Sequence, residues 1–221
     1  MGQKYEVDGA IHEPEVIDGL TVYRKPEPEG RYVAGCDVAE GLGAEGDWSA
    51  VTIFDRRNGE EVAFFRGKLP PDRFGERLDS WGRLYGGALM VVETNNHGLT
   101  TLTVLKQRLY PNLYFRPKVY DKSGDPISDR LGWKTSVVTK PLMIDDLDRA
   151  LRDGTVTFRT QRTLDEMVTF LYNERGQMSA MDGANDDCLV SAAVALQGFK
   201  VTMPTAPSQI DWREHFPSGG Y

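Results

Sequence analysis

Four acidic residues stand where chemistry could use them. Asp37 closes the run Arg31-Tyr32-Val33-Ala34-Gly35-Cys36, Glu93 closes Ala88-Leu89-Met90-Val91-Val92, and Asp186 and Asp187 open an Ala-rich stretch that reaches Phe199. An ionisable group directly after five apolar residues is costly to bury without a partner. In an open α/β sheet, carboxylates that end neighbouring strands meet in the crevice beyond those ends without being adjacent in sequence. Converging oxygens are what a hard divalent cation such as Mg²⁺ or Mn²⁺ requires. Two ions roughly 3.5–4 Å apart stabilise both the attacking and the leaving oxygen of an in-line phosphoryl displacement. The residue types therefore point to metal-dependent cleavage of a nucleic-acid backbone, with no His or Lys needed as base. Singly, each acid has a plainer role open to it. Asp37 suits a solvated strand end, and Asp186-Asp187 suit the first turn of a helix behind the N-cap candidate Asn185.

The elements that must position these acids follow from local pattern. The β-branched run 31–38 predicts a buried strand, with Gly41, Gly43 and Gly46 forming a loop after it. Trp48–Asp55 and Glu61–Leu69 predict two further strands around Arg56-Arg57-Asn58-Gly59, an Asn-Gly hairpin signal, so the three form an antiparallel meander. Pro70-Pro71-Asp72 opens a helix with Phe74, Leu78, Trp81, Leu84 and Tyr85 at helical spacing, closed by Gly86-Gly87. The apolar run 88–92 predicts a strand covered on both faces. Helices are predicted at 99–109, 141–151, 164–171 and 186–199, with strands at 113–120 and 155–158 and a turn or exposed loop at 121–126. Together these predict a mixed α/β sheet flanked by helices. Residues 1–30, rich in Glu, Asp, Pro and Gly, are expected to form an arm or linker remnant. Residues 31–200 are expected to form the domain, and 201–221 a flexible tail.

Bulk composition narrows the setting. A net charge of −7 argues against a protein that coats nucleic acid by bulk electrostatics. The charge is uneven, however. Between Lys106 and Lys140 eight basic residues face three acidic ones, so that segment carries +5 and the remainder −12. No apolar stretch approaches the roughly 18 residues that span a bilayer, so no membrane partner is expected. Two cysteines are too few for a disulfide framework and the first residues lack a secretory apolar core, which predicts a reducing, intracellular setting. Cys36 and Cys188 are expected to be small core residues rather than zinc ligands.

Taken together and in this order, five motifs carry a resemblance: Asp37-Val38-Ala39-Glu40-Gly41 with Asp47-Trp48-Ser49-Ala50, Val92-Glu93-Thr94-Asn95-Asn96, Leu131-Gly132-Trp133-Lys134-Thr135, Lys140-Pro141, and Asn185-Asp186-Asp187. From Arg31 to Phe199 the chain resembles the nuclease domain of large terminase subunits of tailed bacteriophages. The resemblance implies a ribonuclease H-like fold of the resolvase and integrase superfamily, and an endonuclease that cuts double-stranded concatemeric viral DNA during packaging with little sequence preference. It also implies Asp37 and Glu93 as metal ligands and Asp186 or Asp187 as the third, the choice between them left open. Many relatives place a His where this chain has Asn185, so no proton-handling role is carried over there. The family's packaging ATPase needs a phosphate loop of the Gly-x-x-x-x-Gly-Lys-Ser/Thr type, which this chain lacks, so the motor domain is expected as a partner along with a portal and a small terminase subunit, in the host cytoplasm. Arg130, Lys134 and Lys140, flanking the Gly132-Trp133 motif, are the expected DNA contacts. Two other functions fit the same residues: a Holliday-junction resolvase-like nuclease, or a non-catalytic interaction domain of a packaging motor.

Overall fold

In the computed structural model, which describes residues 5–7, 10–41, 48–95, 97–116, 131–172, 178–181 and 184–201, a six-stranded mixed sheet lies between two helical layers. A small hairpin of β1 (Tyr5–Val7) and β2 (Ala10–His12) stands apart from it. The main sheet takes β3 (Glu15–Ile17), β4 (Leu20–Val22), β5 (Tyr32–Asp37), β6 (Ser49–Asp55), β7 (Glu60–Gly67) and β8 (Leu89–Val92) in the order β3-β4-β7-β6-β5-β8. All neighbours are antiparallel except β5 and β8, which run parallel. The helices are α1 (Pro71–Leu84), α2 (Gly98–Gln107), α3 (Thr139–Arg152), α4 (Gln161–Val168) and α5 (Asp187–Phe199). A hairpin of β9 (Phe170–Tyr172) and β10 (Met178–Ala180) precedes α5. None of the described helices is long and apolar enough to cross a membrane.

The pleat assigns each strand residue to one of the two layers. Ala34, Cys36, Val51, Ile53, Met90 and Val92 pack with Phe74, Leu78, Trp81, Leu102 and Leu105 of α1 and α2. Val33, Leu89 and Val91 pack with Met143 and Leu147 of α3 and with Leu189, Ala192 and Leu196 of α5. β6 and β8 are buried along their whole lengths, and β8 is the continuous apolar run that a strand covered on both faces should be. Cys36 and Cys188 are both free and buried. α1 has the expected proline start, Asp72 in its first turn and Arg83 in its last, and Gly86 and Gly87 at positive φ turn the chain into β8.

Four expectations change. Residues 1–30 were expected to lie outside the core, yet Leu20 and Val22 are buried and their hairpin extends the sheet beyond β7. The segment at 113–120 contributes only bridges, Leu113 to Met90 and Phe115 to Leu131, within its described part. Thr157 likewise makes a single bridge to Glu60. The helix at 164–171 stops at Val168, and its buried face is not the apolar one. Thr163 and Glu166 are buried, whereas Val168 is 80% exposed. Glu166 turns inward because its carboxylate is needed at the start of α5.

Candidate active site

Asp37 and Glu93 are brought together by strand register. Cys36 pairs with Val92 across the parallel β5–β8 ladder, and the Glu93 N–H donates to the Cys36 carbonyl at 2.9 Å, so the two acids leave adjacent strands side by side. Both sit at odd positions in step with Val33 and Val91, and the pleat therefore turns them to the α5 face. Three hydrogen bonds fix the loops beyond them. The Asn95 side chain donates to the Val38 carbonyl (2.8 Å) while accepting from the Gly98 N–H (2.8 Å), and the Ala39 N–H donates to Ser49 Oγ at 3.0 Å.

α5 brings the second pair of acids to the same place. It crosses β5 at Gly35, and its Ser191 hydroxyl bonds Thr52 Oγ1 of β6 at 2.8 Å. One turn earlier lies Asp187, 8% exposed, with Asp186 at the N-cap. Asp37 senses all three neighbours. Burial first, then the charge of Glu93 and a side-chain hydrogen bond with it, then the charges of Asp187 and Asp186, hold the Asp37 carboxyl well above the usual carboxylate range. Carboxylates set this closely require a proton or a cation between them.

In this arrangement the outer two acids are engaged by cations. Arg66, from the end of β7, directs Nε (3.2 Å) and Nη2 (2.8 Å) to one oxygen of Asp187, Oδ2, while its guanidinium stacks on the Trp48 ring at 4.2 Å. Lys140 Nζ reaches Oδ2 of Asp186 at 3.1 Å. Burial lifts the Asp187 carboxyl to about 6 against the opposing pull of Arg66. Glu166 Oε2 accepts the N–H groups of Cys188 (2.8 Å) and Leu189 (3.1 Å), capping α5, while its buried Oε1 lies 3.9 Å from Arg66 Nε without a hydrogen bond. Among the described residues no three acidic, His or Cys side chains stand together as a ready-made ion cage. The donor set nevertheless suits a hard divalent cation, since it is all oxygen and a cation would relieve the repulsion that raises Asp37.

Of the other expected contacts, Lys134 is exposed just beyond Trp133, which bridges to Glu93. Lys140 is held by Asp186 instead of facing solvent alone, and Arg130 lies outside the described residues. Arg66 and Glu166 are the residues that sequence reasoning missed.

No family model matches the sequence. Among solved structures, the large terminase nuclease of thermophilic phage G20c with bound magnesium superposes at a TM-score of 0.64 over 83% of this chain and 89% of that one, at 22% identity. The Thermus phage P74-26 large terminase nuclease domain gives 0.63 over 86% and 90%, at 21% identity. The fold is that of the phage large terminase nuclease domain. The more distant phage P22 domain matches at 0.50 over 80% and 88%, at 12% identity. The terminase-nuclease fold accounts for the ribonuclease H-like mixed sheet, its meander followed by the parallel β8, and for α5 lying across β5 and β6.

The buried acids give the fold a pH dependence. Asp187 titrates near 6, burial lifts Glu61 to about 7 where it caps the N–H groups of Arg159 and Thr160, and Asp37 is raised as well. Each holds its proton in the folded chain at a pH where the unfolded chain has released it. The stability they contribute is therefore complete below about pH 4 and is lost as pH rises through about 7. Metal-free protein should melt about 5 °C higher at pH 5 than at pH 8, corresponding to about 2 kcal/mol. A flat or rising melting temperature over that range, followed by calorimetry in EDTA, would contradict the assignment of these buried protons.

Proposed function

We propose that this chain is a metal-dependent endonuclease domain that hydrolyses phosphodiester bonds of double-stranded DNA during viral genome packaging, with little sequence preference. The observation that carries this reading is the side-by-side placement of Asp37 and Glu93 at the ends of parallel strands, under the start of the helix that bears Asp186 and Asp187. The G20c nuclease was solved with magnesium, and its fold is shared here. Asp37 and Glu93 would hold Mg²⁺ or Mn²⁺, as one ion or a pair, with Asp186 or Asp187 as the third acid. Such an ion supplies Lewis-acid polarisation of the phosphodiester. Arg66 and Lys140 each occupy a single oxygen of Asp187 and Asp186, so the other oxygen of each carboxylate is not taken by its cation partner. Lys134 and Lys140, and Arg130 by sequence, are the proposed DNA contacts, acting through phosphates rather than base edges. The motor ATPase, portal and small terminase subunit are the proposed partners, and the host cytoplasm the setting.

The test is incubation of supercoiled plasmid with the chain in Mn²⁺, in Mg²⁺ and in EDTA. Nicked and linear products at many sites are expected with metal and none with EDTA. No cutting with either ion, together with no metal-dependent rise in melting temperature, would overturn the reading in favour of a non-catalytic interaction domain. Strong preference for a four-way junction over linear duplex would replace it with a resolvase.

A further inference from the structure

Two cations hold the acids at the start of α5, and they differ in where they could go. The Lys140 side chain is 27% exposed and can leave Asp186 for water. That of Arg66 is 7% exposed, so a guanidinium displaced from Asp187 must find another buried acceptor or remain an unpaired charge in the interior. Such an acceptor stands next to it. Glu166, from α4, commits Oε2 to the N–H groups of Cys188 and Leu189. Its Oε1 is buried, lies 3.9 Å from Arg66 Nε and has no hydrogen-bond partner among the described residues. An orphaned buried carboxylate oxygen is costly, and a shift of roughly 1 Å in the guanidinium would satisfy it, since an N–H···O bond closes near 2.9 Å. The Trp48 ring allows that shift. Its face attracts the guanidinium at 4.2 Å without fixing a direction in the ring plane, so Arg66 can slide over it and keep the contact. On Asp187 both Arg66 donors share Oδ2 instead of forking across two oxygens, which is the weaker arrangement. Arg66 is therefore a cation with two acceptors in reach and one in use.

We propose that Arg66 is a place-holding cation, which balances Asp187 in the metal-free chain and moves onto Glu166 Oε1 when a divalent cation enters beside Asp37 and Glu93. Glu166 is then a positioning residue: it acts through Arg66 and sets how readily Asp187 is released to the ion. The cause is like charge. An ion in reach of Asp187 repels a guanidinium on the same carboxylate, and Glu166 lets that guanidinium retreat without losing a partner. This assignment rests on the reading that the acids hold a divalent cation, and not on DNA cleavage.

Crystals of the chain grown in EDTA and in Mn²⁺ test the movement directly. Arg66 should bond Asp187 Oδ2 in the first and Glu166 Oε1 in the second. Affinity is read separately, without DNA, from the electron paramagnetic resonance signal of free Mn²⁺. Glu166→Gln keeps a carbonyl oxygen for the Cys188 and Leu189 N–H groups but presents an amide donor to Arg66, and should weaken Mn²⁺ binding at least about tenfold. Arg66→Gln removes the competing charge and should strengthen it about fivefold. In the double variant, Glu166→Gln should add nothing to Arg66→Gln. Equal weakening by Glu166→Gln with and without Arg66 would overturn the proposal, because loss of a distant charge would do the same. Weaker Mn²⁺ binding by Arg66→Gln would also overturn it, by making Arg66 a fixed orienting partner. So would Arg66 still on Asp187 in Mn²⁺-bound crystals, an observation that decides the matter even if Arg66→Gln does not fold. A chain that takes up no Mn²⁺ would remove the proposal together with the metal reading, whereas one that binds Mn²⁺ with Arg66 unmoved would remove the proposal alone. One that binds Mn²⁺ with Arg66 on Glu166 yet cuts no plasmid would uphold it and sink the nuclease reading.

Discussion

Asp37→Asn is expected to lower metal-dependent plasmid cutting by at least about 10³-fold, because a metal contributes several kcal/mol of transition-state stabilisation and each 1.36 kcal/mol is tenfold in rate. The same substitution should not destabilise the metal-free fold. Burial and the charges of Glu93, Asp187 and Asp186 hold the Asp37 carboxyl well above the usual carboxylate range, and an amide of the same shape removes that repulsion. Melting in EDTA should therefore be level with the parent or slightly higher at pH 8, while the gain on adding Mn²⁺ shrinks. This pairing of lost activity with retained stability separates a ligand from a structural acid. A folded Asp37→Asn protein that still cuts would remove the proposed catalytic assignment. One that melts well below the parent would show that the carboxylate supports the fold.

Much of this arrangement was legible in residue order, and the part that was not has a physical cause. Strand ends announce themselves: an apolar run that meets Glu93 must either end there or give a buried carboxylate a partner, and the run closed by Asp37 behaves alike. Parallel register then follows from topology, because a strand returning after α1 next to β5 must run the same way as β5. Arg66 gives no such signal. It follows Phe64 and Phe65 in a strand that ends on a sheet surface, where an arginine commonly trails its stem over apolar groups, and only the placement of α5 across the sheet turns it into the partner of Asp187. Glu166 misleads for the same reason. Its neighbours Leu164, Met167 and Val168 set a helical stripe that leaves the acid outside, but the first free N–H groups of α5 require an acceptor, and meeting them rotates α4 so that Glu166 is buried and Val168 exposed. The hairpin at residues 15–22 was hidden by composition. Prolines and acids around two three-residue strands resemble a linker until β7 offers them an edge.

Gly35→Ala is expected to cost about 3 kcal/mol or more and to lower the melting temperature by about 10 °C. A Cβ at this position would lie 2.1 Å from the Ser191 carbonyl oxygen, 2.2 Å from the Ala195 nitrogen and 2.6 Å from the Ala195 Cα. All three are backbone atoms, so no side chain can swing away to make room. α5 itself must lift. It is buried at every position but its last, Phe199, and it is tied to β6 through the Thr52–Ser191 hydrogen bond, so lifting it opens the layer that holds Val33, Phe54 and Val91. The consequence reaches the chemistry, because the same helix carries Asp187 at its first position. Raising it moves that carboxylate away from Asp37 and from Arg66. Urea unfolding of the variant measures the first effect, and plasmid cutting well below the melting temperature, where the protein is still folded, measures the second. A loss under about 1 kcal/mol would mean that α5 does not seat on Gly35 as closely as described. A stability loss without loss of cutting would mean that the acids at the start of α5 tolerate its displacement.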